Sequence, residues 1–448
     1  MVLDTTRMDA VSAYGFARGT TPSFDALARE GLLYRWALAP APWTPPSHAT
    51  LFTSVGPDQH GVGIDGRMVL GRDFPTIAER LSDAGYETVG FSENPIVGNQ
   101  LGLARGFAHF EGESNAVGAR AAIPDARFDV VLGVERWAKQ RVDPTRPFFV
   151  FVNLFDPHDP YAMHEEYIHL APGDLAEAQR IARKQAARGI AEAEGMCSQL
   201  PGDRELATLR ALYLGEVSAA DAKLGRIRAA LESAAPGSLI AAVTADHGEH
   251  LGEHRLLGHE FSLHAEVLHV PLVVHGLANT PPAVIETPVA LGDIAPSLLS
   301  WLGVDVPAAW SSGRLPRAAE NAAEGRPLRA VFSDVPLVAP AGWRTDHKRQ
   351  AIRRRRACGE EDRVFGEILS LVRFPYKLVW YERHPAQLYD LRWDPRELSD
   401  LSQHESERTA AMTNEIESWH SHFTAGGPVQ APLAPETLET LRSLGYVE

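Results

Sequence analysis

The sequence predicts an α/β fold around a large, mostly parallel sheet, followed by a smaller α+β unit with a short antiparallel sheet and a helix. Three observations lead to it. Apolar runs of strand length alternate with helical patterns, polar residues able to do chemistry follow those runs, and the pattern changes to short turn-linked strands after about residue 325. The expected division is therefore 1–325 for the α/β domain and 326–448 for the C-terminal unit.

The strand runs are Phe148 to Leu154 (FFVFVNL), Leu239 to Thr244 (LIAAVT) and Val270 to His275 (VPLVVH). They are nearly continuous apolar stretches, the pattern of strands buried on both faces. Helical patterns run over Ser23 to Glu30, Pro75 to Ala84, Arg204 to Ser233 and Ile294 to Leu302. In the C-terminal unit, strands are expected over Ile368 to Val372, Tyr376 to Tyr381 and Gln387 to Leu391, and a helix over about Glu405 to Phe423. The Arg353 to Arg356 run before them could meet an anion, and a solvated charged loop is the favoured reading.

Composition narrows the function classes. The 44% hydrophobic and 23% charged residues suit a soluble globular chain, and a net charge of -15 argues against nucleic acid or an anionic membrane as partner. Cys197 and Cys358 stand in no metal or redox spacing and read as inert thiols. No apolar run is long enough to span a membrane and no leader opens the chain, so a cytoplasmic protein is expected. That expectation is open to revision, because the first functional motif starts four residues in, where a strand usually has about five or six; the start reads as lying inside a longer frame.

Acidic and imidazole groups follow three strand runs: Asp4 after Val2-Leu3, Asp156 and His158 after FFVFVNL, and Asp246-His247 after LIAAVT. In an α/β sheet such strand ends converge on one edge. Asp246 and His247 can turn onto one divalent ion, with Gly248 permitting a tight turn; alone, Asp-His-Gly also reads as a turn. Thr44-Pro45-Pro46-Ser47-His48 precedes a helical run, and from this segment alone Thr44 is a helix cap before it is anything else. Its alternative is an alcohol beside an anion held at the helix start.

These segments, in this order, resemble the sulfatase branch of the alkaline phosphatase superfamily. Asp4-Thr5-Thr6-Arg7-Met8-Asp9 looks like the family's opening metal-binding strand, and Thr44-Pro45-Pro46-Ser47-His48 occupies its Cys-x-Pro-Ser-Arg nucleophile motif. Asn94 after Gly85-Tyr86-Glu87-Thr88, the Asp156-Pro157-His158-Asp159-Pro160-Tyr161 loop, YLGEVSAADAKLG, Asp246-His247-Gly248-Glu249, His259, QLYDLRWDPRELSDL and LRSLGYV continue the match over nearly the whole chain.

The resemblance implies an alkaline-phosphatase-like α/β/α sandwich and in-line displacement at sulfur or phosphorus in a small anionic ester. By carry-over, Asp4, Asp246, His247 and Thr44 hold a divalent metal and Thr44 is the nucleophile. Asn94, His158 and His259 contact the transferred group or the leaving oxygen. Asp156 with His158 are candidates for a second metal, and His48, standing for the family's arginine, for a contact to Thr44. Arg7 and Asp9 read as support for the metal loop or a structural ion pair, and His250, His254 and His264 as structural.

Three departures shift the expected substrate. Threonine cannot mature to formylglycine, since its oxidation gives a ketone. Asp4 followed by Thr5, and Asp246 by His247, make a donor set that favours manganese or zinc, with calcium the alternative. Threonine with Asp-His is also the pattern of phosphodiesterase and phosphoglycerol-transferring relatives. A phosphate or phosphonate ester is thus expected ahead of a sulfate ester. The alternatives are a sulfuric ester hydrolase working without formylglycine, a phosphotransferase to an alcohol, and a noncatalytic binding protein.

Overall fold

The computed structural model describes residues 1–64, 67–112, 128–168, 174–188, 202–259, 262–321, 326–332, 367–423, 435 and 437–438. The Arg353 to Arg356 run, both cysteines and LRSLGYV lie outside the described residues.

The main sheet has eight strands: β1 (Val2–Leu3), β2 (Leu32–Tyr34), β3 (Glu87–Ser92), β4 (His109–Gly112), β5 (Phe148–Leu154), β6 (Ala241–Thr244), β7 (Leu272–His275) and β8 (Ala283–Ile285). Their order is β8-β2-β7-β6-β1-β5-β3-β4, and every pairing is parallel except the two made by β7. The expected run from Val270 to His275 is divided at Pro271, which has no N–H for the ladder: His269–Val270 pairs in a separate three-stranded sheet.

Side chains alternate between two buried faces, as the strand period requires. Leu3, Val89, Phe91, Val152, Leu154 and Val243 pack on one face against helices α1 (Pro22–Glu30), α4 (Val130–Gln140) and α5 (Asp203–Ala234). Val2, Leu32, Phe151 and Val274 pack on the other against α2 (Thr44–Thr53), α3 (Ile77–Asp83) and α6 (Ile294–Trp301). The result is the α/β/α sandwich expected. Each fully buried Leu, Val or Phe stabilises it by about 1.5–3 kcal/mol over an exposed one.

Two helix starts are held by side chains, one from its own chain segment and one from a neighbouring helix. Thr76 and Glu79 form a capping box on α3, and the Asp221 carboxylate of α5 accepts from the Ser23 and Phe24 amides at the start of α1, at 2.8 Å each.

In the C-terminal region β9 (Leu328–Phe332), β10 (Ile368–Arg373), β11 (Tyr376–Tyr381) and β12 (His384–Asp390) form an antiparallel sheet in chain order, followed by α7 (Ser406–His420). Leu369, Leu371, Leu378 and Leu388 face Met412 and Ile416 of α7, while Ile368, Val379, Tyr381 and Tyr389 join the main core.

One charged group on β11 is sealed in this join. Lys377 is 2% exposed, and its Nζ donates to the Leu263 carbonyl and to Glu397 Oε1 at 2.7 Å; Glu397 Oε2 lies 2.9 Å from His264 Nδ1. Burial alone would raise the Glu397 carboxyl, but the Lys377 charge and His264 outweigh it and hold it at about 2, against an ordinary 4.5. A depressed carboxyl contributes stability that is present above pH 4.5 and is lost as pH falls toward 2. Glu397→Gln, which leaves the lysine charge buried without its counter-ion, is expected to cost about 3–5 kcal/mol at neutral pH. It should also remove this share of the acid sensitivity. Urea unfolding at pH 7 and pH 3.5 checks both, and an unchanged midpoint at pH 7 contradicts it.

Candidate active site

The C-terminal ends of β1, β3, β5 and β6 lie side by side, because Val2 stands opposite both Asn153 and Thr244, and Asn153 opposite Ser92. One residue past β1, Asp4 is fully buried, and its amide donates to the Leu154 carbonyl. Thr5 then takes a left-handed backbone (φ 51), a conformation a β-branched residue adopts only when its surroundings impose it. Tyr213 of α5 supplies that constraint. Its hydroxyl donates to the Thr5 carbonyl at 2.9 Å and accepts from the Arg7 amide at 2.8 Å. The Thr5 amide is thereby aimed at Asp246 Oδ1, 3.2 Å away.

Thr44 is the first residue of α2, not its cap: Trp43 holds the cap position, and Pro45 and Pro46 follow in the first turn. Thr44 Oγ1 lies 3.3 Å from His247 Nε2. One turn on, His48 bridges the cluster, with Nδ1 3.1 Å from the Thr44 carbonyl and 3.4 Å from Asp246 Oδ2, and Nε2 3.3 Å from Asn153 Nδ2. His48 thus reaches the Thr44 backbone carbonyl one turn before it in α2.

Asp246 and His247 leave β6 in a turn in which Gly248 is needed for a reason other than its conformation. A Cβ there would stand 2.0 Å from the Glu266 carbonyl oxygen, so the close approach of that backbone admits no side chain. Asp4, Asp246 and His247 each offer one ligand atom within 4.8 Å of the others, and all are fully buried. Asp4 Oδ1 and Asp246 Oδ2 have no hydrogen-bond partner. Burial, reinforced by Asp246, raises the Asp4 carboxyl to about 6, and burial raises Asp246 and lowers His247. Two orphaned carboxylate oxygens beside an imidazole and a hydroxyl are costly without a cation and fit a divalent one.

Asn94 is held against Asp4, its Nδ2 donating to Oδ2 at 2.8 Å and its Oδ1 accepting from the Ile96 amide. His158 and His259 close the other side, with ring centroids 5.0 Å apart and His259 4.5 Å from His247. Burial lowers His259 to about 3. Burial would lower His158 as well, but the hydrogen bond and charge of Asp159, with Asp4 and Glu249, hold it near 9. Asp156 is not brought to His158: its Oδ1 pairs with Lys223 at 2.8 Å, and it groups with His164 and Glu216. Arg7 clasps Asp9 at 2.7 Å and the Glu249 carbonyl at 3.0 Å, bracing the loop after β1. His250, His254 and His264 gather outside this cluster, His254 and His264 stacked at 3.8 Å.

Four residues of the site escaped sequence reasoning. Asn153 donates to Asp4 Oδ2 at 3.3 Å; its signal was a lone amide inside FFVFVNL. Glu249, buried and raised well above the carboxylate range by burial and then Asp159, sits 3.3 Å from His259 Nδ1. Tyr213 and Asp159 stood inside recognised segments, without a signal of their own.

Comparison with known proteins gives a consistent result. The Sulfatase family model matches residues 1–304. The chain is 26% identical to the multifunctional alkaline phosphatase superfamily protein PehA of Trinickia caryophylli, over 90% of each chain. It is 23% identical to an arylsulfatase of Clostridium perfringens, over 99% of this chain and 98% of that one. In structure it is similar to the phosphonate monoester hydrolase of Agrobacterium radiobacter, with a TM-score of 0.69, 21% identity and coverage of 96% and 98%. Among the described residues, no helix is long and apolar enough to cross a membrane.

Proposed function

The chain belongs to the sulfatase family, a family of ester hydrolases, and from that premise we propose that it cleaves phosphate or phosphonate esters ahead of sulfate esters, with Thr44 as nucleophile. The observation that carries the reading is Thr44 Oγ1 at 3.3 Å from His247 Nε2, beside the orphaned oxygens of Asp4 and Asp246. PehA, named for its multiple activities, and the phosphonate monoester hydrolase support a phosphorus ester.

Asp4, Asp246, His247 and Thr44 would hold the divalent ion, manganese or zinc ahead of calcium given the imidazole. When bound, such an ion lowers the pKa of a hydroxyl and neutralises charge on the group under attack.

The protein's own residues do the rest. Asn94 and Asn153 fix the Asp4 carboxylate, and the His48 ring, hydrogen-bonded to the Thr44 carbonyl, lies beside Asp246. The Thr44 hydroxyl gives its proton to solvent and its oxygen bonds to phosphorus as the ester oxygen departs. His158, kept protonated by Asp159, supplies a proton to that leaving oxygen, and His259, oriented by Glu249, faces the same group. Water then cleaves the threonine ester and restores the hydroxyl.

Assays on an aryl sulfate, a phosphate monoester, a phosphate diester and a phosphonate monoester, with bound metal identified by mass, test the reading. The expected result is kcat/KM on the best phosphorus ester about 100-fold above the sulfate, lost on chelation and restored by manganese or zinc. Calcium with sulfate turnover foremost would overturn it.

A further inference from the structure

A second group of metal-binding side chains lies beside the site, where the loop after β5 meets α5. We propose that Asp156, His164 and Glu216 bind a second divalent cation of the zinc or manganese class, which ties the loop carrying His158 to α5.

One ligand atom from each of the three lies within 4.8 Å of the others. Their side chains are 10%, 26% and 4% exposed, so an ion could enter from solvent on the His164 side and still be largely enclosed. Asp156 Oδ2 is buried without a hydrogen-bond partner, while its Oδ1 is taken by Lys223 at 2.8 Å. Glu216 Oε2 lies 2.8 Å from His164 Nε2, and its Oε1 accepts from the Ala162 amide.

Charge points the same way. Lys223 also pairs with Glu93 at 2.8 Å, so Glu93 and Asp156 share one lysine, while Glu216 pairs with His164. With His164 as a neutral ligand, two negative charges remain, the amount one divalent ion offsets. One imidazole with two carboxylates is the donor set of zinc and manganese, and water can complete the coordination.

The ion has a mechanical consequence. Asp156 and His164 bracket the segment that carries His158 and Asp159, whereas Glu216 belongs to α5. Joining them restrains both ends of that segment. This site stands independently of the role given to Thr44.

The test is the number of zinc or manganese ions retained per full-length chain after metal-free protein is reloaded and desalted, read by elemental mass analysis. The wild type should retain two, and His164→Asn and Glu216→Gln one each. Asp246→Asn should also retain one, and Asp246→Asn with His164→Asn none. His259→Gln should keep both, which separates this site from His158, Asp159 and His259, whose ligand atoms also lie within 4.8 Å of one another. Retention of two ions by His164→Asn, or loss of one by His259→Gln, overturns the proposal. If the wild type holds one ion, its loss in His164→Asn but not in Asp246→Asn supports the second site and sinks the first; the reverse overturns the second. Should Glu216→Gln fail to fold, the more exposed His164 carries the test.

Discussion

Thr44→Ala is expected to lower kcat on a phosphorus ester by about 10³-fold or more while the protein stays folded, because removal of a nucleophile leaves only binding and electrostatic stabilisation. Alanine is a good residue for a helix start, and the methyl and hydroxyl removed are a small part of a helix whose ten residues are all buried. Thr44→Ser keeps an oxygen 3.3 Å from His247 Nε2 only if the rotamer holds without the methyl, so partial activity is expected there. Single-turnover assays with an activated aryl ester separate attack from later steps. Undiminished turnover by Thr44→Ala would remove it from the chemistry.

The second large effect is expected from Asp246→Asn. Asp246 accepts from the amides of Thr5 and His247, and an asparagine oxygen can keep both bonds while losing the charge. Metal affinity should fall by more than the roughly 10–100-fold typical of residues that only support a ligand, and turnover with it. The metal-free protein should respond oppositely. Asp4 is raised from 3.8 to about 6 by burial and then by Asp246. A raised carboxyl gives stability that is present below pH 3.8 and is lost as pH rises through 6, so the metal-free wild type is penalised at neutral pH. Removing the neighbouring charge reduces that penalty. Bound metal after dialysis and the melting temperature of chelated protein at pH 7.5 measure the two effects. Full metal retention, or a lower melting temperature without metal, would count against this account of Asp246.

What could be read in advance was whatever the chain states locally. FFVFVNL is the strand Phe148–Leu154 to the residue, since a largely aromatic and β-branched run that opens after Pro147 has few other conformations. The pairing of the two-residue β1 between β5 and β6 had no such local signal, for it depends on partners some 150 and 240 residues away. The cap reading of Thr44 failed for a related reason. A hydroxyl before a helix reads as a cap until the partner 203 residues later, His247, is known. Family order located Asp4, Asp246 and His247 as a group, but Asn153, Glu249 and Tyr213 act through contacts that no spacing encodes. Lys377 with Glu397 is the clearest case: a lone lysine in a short strand and a glutamate in the turns after it look solvent-facing, and only the packed sheet shows them sealed against Leu263 and His264.

The wide sequence separation within the cluster also bears on how the chain acquires activity. The Thr5 amide next to Asp4 reaches Asp246 across 241 residues, and Thr44 meets His247 across 203. No early hairpin or helix pair can contain the set, so ion capture at native affinity must come late in folding, after the most non-local closures of the chain. During synthesis the first ligand leaves the ribosome long before the last, and the nascent protein is spared premature metal capture at an incomplete centre.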